Sequence, residues 1–149
     1  MKRITDYRRL FGITKDTNLA ELKSIYRNLM KEWHPDKYQD GDPKKLEAEV
    51  KGKEIITAYH FLVSISSETH ETNKEEYLNT ITTAGIDDFN YKGLTLKVTF
   101  MDGSVYEYFG VPKNVYNKFL NSSTQARFAR RHIFEVYTRR KTTKVAEQE

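Results

Sequence analysis

Three residues near the end of the first quarter of the chain, His34-Pro35-Asp36, combine an imidazole, a fixed backbone angle and a carboxylate. Lys23, Arg27 and Lys31 precede them at intervals of four, so on a helix they form one basic ridge that ends at His34. His34 beside Asp36 could act as an acid–base pair, but no nucleophile or third group accompanies them, and no phosphate loop occurs. The tripeptide is then either a docking device or an accident of turn chemistry. The proline fixes one backbone angle, and the Asp36 carboxylate can accept a paired hydrogen bond from an arginine. The lysines and the arginine would speed and orient an encounter. For the ridge taken alone, an ordinary solvated helix face is the simpler reading; its adjacency to the tripeptide reverses that preference.

The elements that must position this tripeptide are helices. Asp6 to Ile13 reads as a short helix with Tyr7, Leu10 and Phe11 on one side, stopped near Gly12. Asn18 with Glu21 three residues later has the form of an N-cap with its reciprocal carboxylate. Leu19, Leu22, Ile25, Tyr26, Leu29, Met30 and Trp33 then recur at helical spacing. Proline disfavours helical geometry in the residue before it, so this helix should end at His34. A polar loop, Lys37 to Pro43, leads to a helix opened by Pro43, with Leu46, Val50, Ile55, Ala58, Tyr59 and Leu62 continuing it to about Ile65. Two helices of similar length joined by such a loop should pack antiparallel, with the first short helix lying across them.

Composition bounds the rest. The 149 residues carry 38% hydrophobic and 31% charged side chains and no cysteine, which rules out disulfides and thiolate metal sites. His60, His70 and His132 have no ligand spacing, and neither a secretory signal nor a membrane span is apparent, so a soluble cytoplasmic protein without cofactor or metal is expected. The net charge of +4 divides into +3 over residues 1–66, −5 over 67–90 and +6 over 91–149. That alternation favours two domains. Residues 67–78 are acidic and polar and read as a linker, with at most a helical turn near the end.

Beyond it, Thr80–Ile86 reads as a strand, and Leu94, Leu96, Val98 and Phe100 alternate as a second. Asp102-Gly103 turns the chain into Ser104–Phe109. Two registers are open. A two-residue turn sets Val98 opposite Glu107. A three-residue turn sets Lys97 opposite Glu107, Val98 opposite Tyr106 and Leu96 opposite Tyr108; it pairs opposite charges, keeps one face apolar and is preferred. Tyr106 and Tyr108 then belong to the core more readily than to an exposed stacking platform. Pro112 opens a helix with Val115, Tyr116, Phe119 and Leu120 on one side. Ser122 or Ser123 caps a second, which carries Arg127, Arg130 and Arg131 on one face.

Asp6-Tyr7, Leu10-Phe11-Gly12-Ile13, Leu22-Lys23, Tyr26-Arg27-Asn28-Leu29, His34-Pro35-Asp36-Lys37, Ile55, Ala58-Tyr59 and Leu62 together resemble the J-domain of DnaJ-type co-chaperones over about the first 65 residues. The resemblance implies binding to a seventy-kilodalton, DnaK-type heat-shock chaperone and stimulation of its ATP hydrolysis. His34, Pro35 and Asp36 would be the required trio, with Lys23, Arg27 and Lys31 facing an acidic surface. One residue departs from the pattern. Gly52 stands where the family usually has a large apolar side chain; either neighbours such as Phe61 or Trp33 fill the gap or the helical hairpin is loose. The family's usual fourth helix, glycine/phenylalanine-rich segment and zinc domain are not recognisable.

Leu94, Val98, Phe100, Gly103-Ser104, Tyr106-Glu107-Tyr108, Val111-Pro112, Val115-Tyr116 and Ile133 are similar to the KTSC domain, named from the C-terminus of some lysyl-tRNA synthetases. Gln125-Ala126-Arg127 and Arg130-Arg131 stand where members often have a glycine and an asparagine. RNA binding has been suggested for that family. Arg127, Arg130, Arg131, Arg139, Arg140, Lys141 and Lys144 make a basic cluster suited to phosphate; with Tyr106 and Tyr108 they are candidate nucleic-acid or partner contacts. The cluster reads equally well as a solvated surface with a frayed tail. The expected architecture is α+β: an all-α J-domain over 1–66, the linker over 67–78, a three-stranded antiparallel meander with two helices over 79–138, and a basic tail over 139–149.

Overall fold

The computed structural model describes residues 2–142. Lys144 and the remainder of the expected tail beyond Thr142 lie outside the described residues. The chain divides into two compact units, one of Lys2–Thr69 and one that begins at His70.

In the first unit, α1 (Lys2–Phe11) starts four residues earlier than Asp6, because Ile4 joins Phe11 on the buried side. Gly12 ends it with φ of 65°, a conformation glycine adopts without a Cβ penalty. Helix α2 (Leu19–Trp33) begins at Asn18, whose Oδ1 accepts the Glu21 amide at 2.8 Å, as its sequence predicts. A second cap comes from far along the chain: Glu68 Oε1 accepts the Leu19 amide at 2.9 Å. Helix α3 (Pro43–Ser64) opens with Pro43 in its first turn and Asp42 accepting the Lys44 amide at 2.9 Å.

The buried face of α3 is Ala48, Gly52, Ile55, Ala58, Phe61 and Leu62. Leu46 and Val50, which continue the helix as expected, are 69% and 70% exposed. At 100° per residue both fall opposite the Ala48–Gly52–Ile55 line, so the apolar pattern of the first two turns does not mark the buried side. Gly52 itself is buried, in line with Ala48 and Ile55, each at 0% exposure. Phe61 does not fill that place. Its ring meets Tyr7 edge-on at 5.3 Å and lies under the Arg3 guanidinium at 4.3 Å. Tyr26 and Tyr59 stack at 4.0 Å between α2 and α3.

Residues 67–78 are not an unstructured linker. They form α4 (Ser67–Thr72) and the start of α5 (Lys74–Thr83), with only Asn73 between. The strand expected over Thr80–Ile86 is therefore mostly helix. Thr80 and Ile81 are buried with Tyr77, at a helical spacing that the run of threonines obscured.

The second unit contains an antiparallel sheet of four strands in the order β1-β2-β3-β4, one more than the meander expected. They are β1 (Ile86–Lys92), β2 (Thr95–Phe100), β3 (Val105–Phe109) and β4 (Thr138–Thr142). The overall class is α+β. Leu94 is not part of the second strand; with Gly93 it forms the β1–β2 turn, both at positive φ, 56° and 64°. The β2–β3 register is the preferred one, Leu96 opposite Tyr108, Lys97 opposite Glu107 and Val98 opposite Tyr106, with Gly103 at φ 90°. Helices α6 (Lys113–Asn121) and α7 (Gln125–His132) follow, with Thr124 rather than either serine at the N-cap position of α7. Tyr77, Ile81, Leu96, Val98, Tyr108, Phe119, Ile133 and Phe134 are among the residues of one core, so α5 belongs to this unit.

Three of the core tyrosines carry a pH signature. Burial pushes the phenols of Tyr77, Tyr106 and Tyr108 above their ordinary range. Unfolded, they ionise near pH ~10, while the native phenols stay protonated, so above that pH the unfolded state binds fewer protons. Stability contributed by each is complete below about pH 10 and is lost above it, at up to about 1.4 kcal/mol per pH unit. The part of the tyrosinate absorbance that these three of the ten tyrosines contribute should therefore appear cooperatively with unfolding in an alkaline titration.

Candidate functional site

The site begins where α2 stops. The His34 amide still donates to Met30 at 2.9 Å, but its ψ of 129° is extended, as the following proline requires. Pro35–Lys37 then form one 3₁₀ turn, closed by the Lys37 amide on the His34 carbonyl at 3.1 Å. The His34 ring takes part in this turn: its Nδ1 accepts the Asp36 amide at 3.2 Å. With Nδ1 the acceptor, neutral His34 carries its proton on Nε2. The side chains remain open to solvent, His34 at 51% and Asp36 at 90% exposure, and the Asp36 Oδ2 lies 3.6 Å from His34 Nδ1.

Lys23, Arg27 and Lys31 are all exposed on α2, and none has an ion-pair partner among the described residues. Tyr26, Arg27, Met30, Lys31 and His34 from α2, with Ile56 from α3, line a shallow groove. The ridge, the groove and the His34 end of α2 thus lie together. Ile56 is the residue sequence reasoning missed; it falls off the buried line of α3, and nothing in its own neighbourhood marks it.

This arrangement coincides with what the comparisons find. Residues 6–77 match the family model of the DnaJ domain, and residues 84–137 match that of the KTSC domain. The chain joins a DnaJ domain to a KTSC domain. Among curated relatives, the DnaJ protein homolog XDJ1 of Saccharomyces cerevisiae is 41% identical over 61 residues, covering 41% of this chain and 13% of the relative. The chaperone protein DnaJ of Hydrogenobacter thermophilus is 39% identical over 74 residues, 50% of this chain and 18% of the relative. That of Rickettsia bellii is 44% identical over 57 residues, 38% and 14%. The chain thus spans less than a fifth of the length of these relatives. No solved structure gives a significant match.

The candidate contacts on the KTSC domain fare unevenly. Tyr106 and Tyr108 are 4% and 0% exposed, so neither ring is available to stack on a ligand. Arg139 and Arg140, expected in a frayed tail, lie in β4. The Arg139 guanidinium sits 3.7 Å over the Tyr77 ring. Arg140 bonds Glu107 at 2.9 Å, both side chains 16% exposed, as a cross-strand pair. Lys141 pairs with Glu76, which raises its pKa. The Arg139 and Arg140 contacts tie β4 to α5 and β3. Arg127 and Arg131 remain exposed on α7 with Arg130 half-buried, and none of the three has an ion-pair partner among the described residues. Neither a metal-ligand cluster nor a helix long and apolar enough to cross a membrane occurs among the described residues.

Proposed function

We propose that the protein is a co-chaperone: its DnaJ domain binds a DnaK-type heat-shock chaperone and stimulates ATP hydrolysis, and its KTSC domain localises it or selects a client. The observation that carries this is the His34-Pro35-Asp36 turn, with His34 and Asp36 exposed, at the end of a basic ridge that has no ion-pair partner among the described residues, within a matched DnaJ domain. In this reading Lys23, Arg27 and Lys31 steer the encounter, and Asp36 accepts a hydrogen bond from a cation of the partner. The protein supplies no catalytic group of its own, needs no cofactor and acts in the cytoplasm.

Single-turnover ATP hydrolysis by a DnaK-type chaperone should accelerate on adding this protein. Because exposed charges are screened beyond roughly 10 Å at ~0.1 M salt, half-maximal stimulation should require more protein as salt rises. An unchanged hydrolysis rate at saturating protein and low salt counts against the reading.

A second reading rests on α7, where Arg127, Arg130 and Arg131 are unpaired: the KTSC domain binds RNA, with the DnaJ domain accessory. Three phosphate contacts on a single strand would give a log–log salt slope of about −2. Labelled RNA should then lose most of its affinity for a chain with all three arginines changed to glutamine. Equal binding by that variant removes α7 as the interface.

A further inference from the structure

The chain contains two Asp-Gly peptide bonds, Asp40–Gly41 and Asp102–Gly103. In such a pair the glycine amide nitrogen can reach the carboxyl carbon of the preceding aspartate, because no Cβ obstructs the approach. Whether it does so depends on how each aspartate and each amide is held. The two sites differ in both respects.

At Asp102 both carboxylate oxygens are engaged. Oδ2 accepts the Thr80 hydroxyl and Oδ1 the Ser104 amide, each at 2.8 Å. Against the burial that would raise it, the bonds from Ser104 and Thr80 hold this carboxyl below its ordinary pKa. The attacking group is also occupied, since the Gly103 amide donates to the Phe100 carbonyl at 2.9 Å.

At Asp40 the side chain is 94% exposed, and its one bonded partner is Lys45. Gly41 occupies the third position of a turn closed by the Asp42 amide on Gln39 at 3.1 Å, with φ of 89°. The Gly41 amide has no acceptor among the described residues, and apart from the glycine and its two chain neighbours no atom lies within 4 Å of where a Cβ would stand. Lys45, chiefly through its hydrogen bond, holds the Asp40 carboxyl below its ordinary pKa, which slows attack on it. An ion pair so exposed opens readily to water and restrains without blocking.

We propose that Asp40–Gly41, in the loop between the His34-Pro35-Asp36 turn and α3, is a site of spontaneous isoaspartate formation, from which Asp102–Gly103 is protected. The Gly41 nitrogen bonds to Cγ of protonated Asp40, the amide proton and the carboxyl hydroxyl leave as one water, and a five-membered succinimide results. Water then adds at the α-carbonyl carbon, whose bond to the Gly41 nitrogen breaks. The chain now runs through the side-chain carbon and a free α-carboxylate remains, with no net change in composition. The product has one extra main-chain carbon in the turn immediately before Asp42, the cap of α3.

Purified full-length protein, aged near neutral pH at physiological temperature, is labelled with an isoaspartyl methyltransferase and S-adenosylmethionine, and the methyl groups are located by electron-transfer fragmentation. Isoaspartate at Asp40 should exceed that at Asp102 by at least about ten-fold, since Asp102 must first give up two hydrogen bonds and Gly103 a third. Asp40→Glu, which would require a six-membered ring, should lose the signal at that position. Equal labelling at both aspartates, or none at Asp40, overturns the proposal.

Discussion

Replacing His34 by glutamine should return ATP hydrolysis by the DnaK-type chaperone to its unstimulated rate while leaving the DnaJ domain folded. Half of the His34 side chain is exposed, and it contributes nothing to the buried line of α2 and α3, so the fold has no need of it. Its work is local. Nδ1 accepts the Asp36 amide, which fixes the turn, and in the neutral ring the proton on Nε2 is left as a donor. Glutamine can offer a donor and an acceptor, but on a flexible chain that does not reproduce the spacing of the rigid ring. Loss of a central contact of this kind typically costs about 2 kcal/mol or more, roughly thirty-fold in affinity. The sole tryptophan, Trp33, is the adjoining residue, so its fluorescence reports in the same sample whether the end of α2 has kept its structure. Undiminished stimulation by the variant would sink the proposed mechanism. Altered Trp33 emission with lost stimulation would instead mean that the turn had unravelled.

The second large effect is on stability, and it is asymmetric within one hydrogen-bonded pair. Tyr77 donates its hydroxyl proton to the Phe134 carbonyl, and the Tyr77 and Tyr108 hydroxyl oxygens are 2.8 Å apart. A hydroxyl has one proton, so Tyr108 must be the donor to Tyr77. Tyr108→Phe removes that bond but leaves Tyr77 still satisfied by Phe134, a loss of about 1 kcal/mol. Tyr77→Phe strands two buried groups, the Tyr108 hydroxyl and the Phe134 carbonyl, at about 1–3 kcal/mol each. The KTSC domain should therefore unfold at distinctly lower urea in Tyr77→Phe than in Tyr108→Phe, with the Trp33 signal of the DnaJ domain as an internal reference. The reverse order would contradict the donor assignment. Tyr77 lies outside residues 84–137, the extent of the KTSC match, and this contrast tests whether α5 is part of that domain's core.

Much of the first unit was legible because its signals are local. Asn18 with Glu21, the 3.6-residue pattern from Leu19 to Trp33 and the prolines at 35 and 43 each act within one turn of helix. Leu46 and Val50 show the limit: an apolar residue at helical spacing need not lie on the buried side, because the side is chosen by the helix it packs against. In the second unit the β2–β3 register followed from charge pairing and one glycine, again a local matter. The Thr80–Ile86 error arose where β-branched residues favour strand by propensity while Tyr77 and Ile81 need a helix to reach the core. Burial won there.

By itself the sequence determined Asn18 as a cap of α2, Pro43 as the opening of α3, the turn at His34-Pro35-Asp36, the hairpin register and the resemblance to both families, since each depends on residues a few positions apart. Tertiary structure alone decided that Glu68 adds a second cap to α2 and that Arg139 and Arg140 serve β4 rather than a free tail. Those outcomes depend on partners tens of residues away. A cation's role is set by which carboxylate or ring folding brings to it, and spacing along the chain carries no record of that.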